Sequence, residues 1–181
     1  MKILFTSFFF YMLINAQGQI TDESGWKIYY DKEFFFSLNY PPTWEFHDDI
    51  KNTKCMVYAP VFASAKYRAN IAVDAFKLPE TGEKTNVKDF AEASFAQLRK
   101  SITDCKVMVT KDVSANGIPK FLVVANGIVD GKYLYFKQLY CLYNNIAYII
   151  NYTGEAGIKD PYAIAAGDIL NSFKPLKTIN Q

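Results

Sequence analysis

The only histidine of the chain, His47, is followed directly by two carboxylates, Asp48 and Asp49. An imidazole and two carboxylates are groups that divalent metal ions accept as ligands. Adjacent residues of an extended segment point in opposite directions, so three consecutive side chains rarely meet at one ion. His47, Asp48 and Asp49 are therefore weak candidates for a metal site, and a solvated turn is the favoured interpretation. We predict that the protein uses no cofactor.

Nucleophilic catalysis would need a base beside a serine or cysteine, and His47 is the only imidazole available. The chain has no GxSxG elbow, and no cysteine lies near His47 in sequence. The segment TGEKT (81–85) matches a phosphate loop poorly, because it lacks a second glycine directly before the lysine. We therefore predict that the protein is not an enzyme. An enzyme that uses His47, paired in space with a cysteine, is a distant alternative.

A short basic and aromatic segment, Lys66, Tyr67 and Arg68, lies in the loop after Pro60. Loops held by a rigid scaffold often carry binding residues, so these three residues are the candidate contact point for a ligand or partner. An ordinary exposed loop is the alternative interpretation.

The three cysteines, Cys55, Cys105 and Cys141, each lie in an apolar, strand-like run. An odd number permits at most one intramolecular disulfide. Cysteine in such runs is most often a small buried hydrophobic residue, so we favour three reduced, buried thiols. The absence of a CxxC pair disfavours a redox or zinc site.

The chain is rich in aromatic residues, with 15 Phe and 13 Tyr. Tyrosine packs its ring against a sheet while its hydroxyl stays in water, so the expected role is to cover a half-exposed sheet. A stacking surface for a sugar or another flat ligand is the alternative.

The first residues have the pattern of a signal peptide. Lys2 precedes an uncharged apolar run, and small residues at Ala16 and Gly18 offer cleavage points. The run is shorter than the roughly 20 residues that span a bilayer, so no stable membrane insertion is expected after cleavage. We predict a signal peptide over residues 1–18 and a single domain over residues 19–181. A short, Phe-rich signal of this kind suits a periplasmic or secreted protein of a Gram-negative bacterium.

The net charge of the whole chain is +2, and loss of Lys2 would leave 19 basic against 18 acidic side chains. Nucleic-acid binding needs a concentrated basic face, and recruitment to a membrane surface needs basic clusters. The near-balance of charge disfavours both functions.

Apolar patterning predicts strands and two helices. The first strands are expected at Trp26–Tyr30, Phe34–Tyr40, Cys55–Ala59 and Ala69–Leu78. Asn86 is expected to cap the first helix, with Asp89 three residues later. Its predicted buried face comprises Val87, Phe90, Ala91, Ser94, Phe95, Leu98 and Ile102.

The segment from residue 106 to residue 152 predicts four strands joined by tight turns. The turns are expected at Asn116-Gly117, Asp130-Gly131 and Asn144-Asn145, and Asp-Gly tolerates the positive φ angles of a primed hairpin turn. Val107, Val109 and Lys111 are expected on one face of the first strand. Consecutive hairpins of this kind form an antiparallel meander.

The second helix is expected to begin at Asp160, its cap, with Pro161 in the first helical position, and to run to Phe173 before Pro175 stops it. Its predicted buried stripe comprises Tyr162, Ala165, Ala166, Ile169 and Phe173. Strands, a helix, a meander and a helix indicate an α+β fold in which helices cover an antiparallel sheet.

The stretch FFFSLNYPPTWEF (34–46) begins as a strand and is interrupted by two prolines. Pro41 fixes its own backbone and keeps Tyr40 extended, and Pro42 has the same effect on Pro41. We predict a structural corner at Pro41, Pro42 and Trp44, where Trp44 and Phe46 turn back to cover an end of the core.

These segments, in this order, resemble the PsbP/Mog1-like superfamily, in its bacterial PsbP-related and DcrB-like branch. The resemblance spans Trp26 to Pro175 and rests on FSLNYPPTWE, NIAVDAFKLPE, VKDFAEASFAQL, GKYLYFKQLYCLYNNIAYIINYTGE and NSFKP. It implies an α/β/α sandwich with a central antiparallel sheet, and a domain used for binding rather than catalysis. The manganese-assisting role of the photosystem members is not expected here, because only about Gln17 to Gly25 precede the first strand where those members have a long N-terminal arm. The GTPase binding of the Mog1 members is not expected either, because no stretch maps onto their GTPase-contacting residues.

We therefore predict an exported, non-enzymatic binding or accessory protein of the periplasm or cell envelope. Its expected partner is an envelope protein or a small ligand. The alternative is a small-molecule or sugar-binding module with a tyrosine-lined pocket.

Overall fold

The computed structural model describes residues 21–79, 85–157 and 160–177. The predicted signal peptide therefore lies outside the described residues. The elements in chain order are β1 (Lys27–Asp31), β2 (Phe36–Tyr40), β3 (Glu45–His47), β4 (Cys55–Tyr58), β5 (Asn70–Lys77), α1 (Val87–Arg99), β6 (Thr103–Asp112), β7 (Lys120–Val129), β8 (Lys132–Tyr143), β9 (Ile146–Glu155), α2 (Ala163–Ser172) and β10 (Lys174–Pro175).

The strands form two antiparallel sheets. The large sheet has the order β3-β4-β5-β9-β8-β7-β6, and the small sheet has the order β1-β2-β10. One face of the large sheet packs against α1, and its other face packs against α2 and the small sheet. The predicted α+β fold and the β6–β9 meander are confirmed. The second sheet was not expected.

The three tight turns of the meander have the predicted backbone. Both central residues have positive φ in each turn: 53° and 73° at Asn116-Gly117, 50° and 73° at Asp130-Gly131, and 49° and 59° at Asn144-Asn145. This is the conformation of primed turns, whose twist matches that of the paired strands. The turns therefore set the register of the meander.

The first helix begins where the sequence predicts. The Asn86 side chain accepts a hydrogen bond from the Asp89 N–H at 2.9 Å, which satisfies one of the unpaired donors of the first turn. Val87, Ala91 and Phe95 are buried against β7 and β8. α1 thus covers the β7–β8 side of the large sheet.

The predicted strand from Phe34 to Tyr40 is too long at its beginning. One carboxylate oxygen of Asp31 accepts hydrogen bonds from the N–H groups of Glu33 and Phe34, which holds a tight turn. Phe35 then adopts a left-handed φ of 51°, so β2 begins only at Phe36. The local side-chain bond outweighs the β propensity of the phenylalanines.

The second helix begins later than predicted. Asp160 accepts a hydrogen bond from the Tyr162 N–H, so Asp160 and Pro161 form a turn and α2 starts at Ala163. Its cap residue, Tyr162, makes no side-chain capping bond. After the helix, Pro175 pairs with Phe36 in the short edge strand β10, a position that needs no donated hydrogen bond from proline.

The edge strand β6 is more exposed and less regular than predicted. Val107 pairs with Ala125 and Val109 pairs with its neighbour Val124, so Met108 is an extra residue in a β-bulge. The simple alternation that would place Val107 and Val109 on one face is therefore wrong. Bulges are common at sheet edges, where they discourage pairing with another chain.

Three tyrosines are buried more deeply than expected. Tyr140, Tyr148 and Tyr152 are at most 1% exposed, and their hydroxyls donate to protein groups. The Tyr148 hydroxyl donates to the Phe34 carbonyl at 2.7 Å. The expectation that tyrosines mainly cover a half-exposed sheet is wrong for these residues, because each meets a buried acceptor.

The double-proline segment carries the chain from the small sheet to the large one. β2 ends at Tyr40, the Trp44 N–H donates to the Pro41 carbonyl at 3.0 Å, and β3 begins at Glu45 in the other sheet. Trp44 is 4% exposed, and Phe46 stacks on Tyr40 with ring centroids 5.3 Å apart.

Among the described residues, no helix is long and apolar enough to span a membrane.

Candidate functional site

A cleft of about 580 Å³ opens on the α2 face of the large sheet, between the edge strand β6 and the first turn of α2. We call it the tyrosine cleft. It is lined by Met108, Asn126, Tyr133, Tyr135, Glu155, Ala156, Gly157, Asp160 and Ala163. The volume lies within the range of small-molecule sites, roughly 300–1,000 Å³.

The floor of the tyrosine cleft comes from the β7–β8 hairpin. Asn126 and Tyr135 lie directly opposite each other in the pairing register, so their side chains share one face. Tyr133 is two residues before Tyr135 on β8 and is 45% exposed. Two aromatic rings and one planar amide therefore lie side by side.

Asn126, which lines the cleft, has an unsatisfied hydrogen-bonding group. Its amide nitrogen lies 3.6 Å from the Met108 sulfur, a weak contact. Its amide oxygen is buried and has no hydrogen-bond partner. An unpaired buried acceptor costs about 1–3 kcal/mol, so a ligand that donates to this oxygen would gain that stabilisation.

Asp160 organises another wall of the cleft. One carboxylate oxygen accepts from the Tyr152 hydroxyl, and the other accepts from the Tyr162 N–H at 2.9 Å. Burial raises the pKa of Tyr152, and the bond to Asp160 raises it further. Burial and then the Asp160 charge also raise the pKa of Tyr135. Both tyrosines therefore keep their protons at neutral pH.

Gly154 permits the close approach of these groups. A Cβ atom at this position would lie 2.7 Å from the Tyr152 hydroxyl oxygen and 2.8 Å from a carboxylate oxygen of Asp160. Any larger residue would therefore push the Tyr152–Asp160 pair apart.

The predicted contact segment Lys66–Arg68 lies beside the tyrosine cleft. The backbone N–H groups of Lys66 and Tyr67 donate to one oxygen of Glu155, at 2.6 and 3.3 Å. The Arg68 guanidinium turns away, donating to Glu45 at 2.7 Å and to the Ala59 carbonyl at 2.8 Å. The segment thus positions Glu155, and its role as a binding site stays a prediction.

The histidine and cysteines are not gathered into a reactive centre. The Nε2 atom of His47 lies 2.8 Å from a Glu45 carboxylate oxygen at an exposed edge of the sheet. The described residues contain no group of three or more His, Cys, Asp or Glu side chains that could hold a metal ion. Cys55, Cys105 and Cys141 are all free thiols.

Sequence reasoning named Lys66, Tyr67 and Arg68 but missed the residues that form the tyrosine cleft. One contact in the cleft could be predicted from the sequence, because a two-residue turn at Asp130-Gly131 implies that Asn126 pairs with Tyr135. The contributions of Glu155 and Asp160 depend on the packing of β9 and α2, and no local pattern indicates them.

No protein-family profile matches the chain, and neither does any curated protein sequence. Many solved structures share its fold, and the following three are among them. Cyanobacterial PsbP (CyanoP) from Synechocystis is 10% identical, with a TM-score of 0.60 over 83% of this chain and 92% of CyanoP. The Saccharomyces cerevisiae Ran-binding protein Mog1p is 10% identical, with a TM-score of 0.58 over 84% and 96% of the two chains. LpqN, involved in cell envelope biogenesis in Mycobacterium tuberculosis, is 11% identical, with a TM-score of 0.58 over 76% and 78%.

These structures define the class of fold to which the chain belongs. The protein shares the fold of PsbP and Mog1p, as the sequence resemblance predicts. Its placement in the DcrB-like branch stays a prediction.

Proposed function

We propose that the protein is an exported, non-enzymatic binding or accessory protein of the periplasm or cell envelope, and that it binds through the tyrosine cleft. The main supporting observation is the buried, unpaired amide oxygen of Asn126, a residue that lines a cleft with aromatic walls. Such a group is costly unless something binds to it.

The surroundings of the cleft also suit binding. Ile164, next to the cleft residue Ala163, is 82% exposed, and Met108 is 44% exposed. Exposed apolar side chains around a concave site are typical of contact surfaces. A protein partner that covers this rim and a small ligand that enters the cleft are the two candidates, and the cleft volume favours the small ligand.

The relatives add circumstantial support. Mog1p is a Ran-binding protein, and LpqN is involved in cell envelope biogenesis. A fold shared with both proteins is consistent with a binding role for this chain, and the similarity to LpqN is consistent with an envelope location. The proposal for this chain rests on its own cleft, because identities near 10% carry only the fold.

A matched pair of substitutions tests the binding role. Ala163 and Ala93 are exposed helix residues, but only Ala163 lines the cleft. Immobilised wild-type protein, Ala163→Trp and Ala93→Trp are incubated with an envelope extract from the native host. We expect a component, identified by mass spectrometry or glycan analysis, that wild type and Ala93→Trp retain and Ala163→Trp loses. Equal retention by all three, or by none, would contradict the proposal.

Export is tested separately. The full chain with a C-terminal tag, expressed in a Gram-negative host, is expected in the periplasmic or secreted fraction. Its intact mass should correspond to cleavage after Ala16 or Gly18. A full-length chain in the cytoplasmic fraction would contradict the exported location without affecting the cleft.

A further inference from the structure

Resting on the proposed function, we propose that the tyrosine cleft binds a neutral, hydroxyl-rich ring, namely a saccharide, in preference to an anion or an organic cation. Three features lead to this ligand class: the aromatic wall, the unpaired hydrogen-bond acceptor of Asn126, and the mixture of charges around the cleft.

The aromatic wall offers a surface for a ring. Tyr133 and Tyr135 project from the same side of β8, and Gly157 lies close to the Tyr133 ring, because a Cβ atom there would be 3.7 Å from it. Tyrosine combines an apolar ring with a polar tip. A sugar ring has a matching character, with C–H groups on its faces and hydroxyls around its edge.

The polar groups of the cleft favour a ligand that donates a hydrogen bond. The amide oxygen of Asn126 is buried and unpaired. Glu155 pairs with Leu134 in the register, so its side chain leaves β9 on the face opposite Tyr135, where one carboxylate oxygen accepts from the Lys66 and Tyr67 N–H groups. Both oxygens of Asp160 are already bonded to protein groups, so Asp160 shapes the wall rather than recognising the ligand. A ligand hydroxyl group that donates to Asn126 would satisfy the unpaired acceptor.

The charges around the cleft favour neither kind of ion. Glu155 and Asp160 line the cleft and would attract a cation and repel a phosphate or carboxylate. Lys106 lies directly opposite Asn126 in the register, so its side chain shares the cleft face, and Lys137 is on the same side of β8 as Tyr135. These two lysines offset both effects of the carboxylates. A neutral ligand therefore matches the charge balance best.

A glycan array tests the ligand class. The array carries neutral, anionic and amine-bearing saccharides, and chitobiose, maltose, glucose 6-phosphate and agmatine serve as soluble probes in a titration of the 15N-labelled protein. We expect neutral saccharides to bind preferentially and to shift the amide signals of Asn126, Tyr133, Tyr135 and Gly157. Binding only of glucose 6-phosphate or agmatine would overturn the proposal, as would no saccharide binding at all.

Two tyrosines provide a matched control. Tyr133 and Tyr30 are 45% and 44% exposed, but only Tyr133 lines the cleft. Tyr133→Ala should weaken saccharide binding roughly tenfold or more, as expected for an aromatic contact at the centre of a site. Tyr133→Phe should retain most of the binding, and Tyr30→Ala should bind like wild type. Loss of binding in Tyr30→Ala as well would place the ligand elsewhere.

The envelope extract and the glycan array together distinguish the binding role from the saccharide inference. If the envelope extract yields a cleft-dependent protein partner while the array gives no signal, the binding role stands and the saccharide inference fails. If neither the extract nor the array gives cleft-dependent binding, both proposals fail. Thermal unfolding of each variant, with an unchanged midpoint expected for Tyr133→Phe and Tyr30→Ala, shows whether lost binding reflects lost folding.

Discussion

The indole of Trp44 meets the ring of Tyr162 edge to face, with centroids 5.8 Å apart and planes at 82°. Trp44 ends the double-proline corner, and Tyr162 is the residue that precedes α2 and bonds to Asp160. This contact therefore joins the passage between the two sheets to the turn that forms one wall of the tyrosine cleft.

Trp44→Ala should strongly destabilise the protein. The side chain is buried in the main core, and truncation of a buried Trp to Ala typically costs about 3–5 kcal/mol. Urea unfolding should show a lower midpoint. Trp44→Phe, which keeps an aromatic ring, should lose much less stability. A near-normal stability of Trp44→Ala together with lost binding would indicate a ligand contact instead of a structural role.

Gly154→Ala should lower the stability, whereas Gly167→Ala should leave it unchanged or raise it. The new methyl group at position 154 would collide with the Tyr152–Asp160 pair, and overpacking of this kind costs about 1–3 kcal/mol. At position 167, within α2, it would meet only the flexible end of Lys137 at 3.5 Å. Alanine stabilises a helix interior by roughly 0.5–1 kcal/mol relative to glycine.

Thermal denaturation of the two glycine variants under identical conditions gives the comparison. A lower midpoint for Gly154→Ala and an unchanged or higher midpoint for Gly167→Ala are expected. If Gly154→Ala were as stable as wild type, the close packing of Tyr152 against Asp160 would not be needed for the fold.

Asp74→Asn should make the stability less dependent on pH. Burial raises the pKa of Asp74 in the folded protein above its ordinary value of 3.8, although bonding to Thr53 and the Lys54 charge partly oppose the shift. The folded state therefore holds this proton more tightly than the unfolded state. The resulting stabilisation is present below the unfolded pKa and is lost as the pH rises through the folded pKa.

At pH 7 the Asp74 variant should consequently be more stable than wild type, by less than about 1 kcal/mol because the site is partly solvated. The difference should shrink near pH 3. Urea unfolding across this pH range measures it, and a variant that is less stable at pH 7 would show that Lys54 and Thr53 outweigh the burial of the charge.

The three thiols should react at different rates. Burial raises the pKa of Cys141 to about 12 and also raises the pKa of Cys55, whereas Cys105 is only half-buried on the edge strand β6. Because the thiolate is the reactive form, Ellman's reagent at pH 8 should modify Cys105 first. All three should react in guanidinium. Cys105→Ser provides the control and should remove the fast phase, and a fast phase that survives in this variant would contradict the assignment.

Local features of the sequence determined much of the fold. The Asn86 cap and the turns at Asn116-Gly117, Asp130-Gly131 and Asn144-Asn145 depend on a few adjacent residues, so their chemistry alone indicates them. These turns also set the register of the meander. The resemblance to the PsbP/Mog1-like superfamily rests on the order of these elements.

Contacts between distant residues were decided only by the tertiary structure. Pro175 pairs with Phe36, Tyr148 bonds to Phe34, and Glu155 holds the Lys66 backbone. Each contact depends on how whole elements pack, and no pattern within a short segment encodes the distance between two such residues. The tyrosine cleft has the same origin. Its tyrosines are visible in the sequence, but only the packing of β9 and α2 against the β7–β8 hairpin gives it walls.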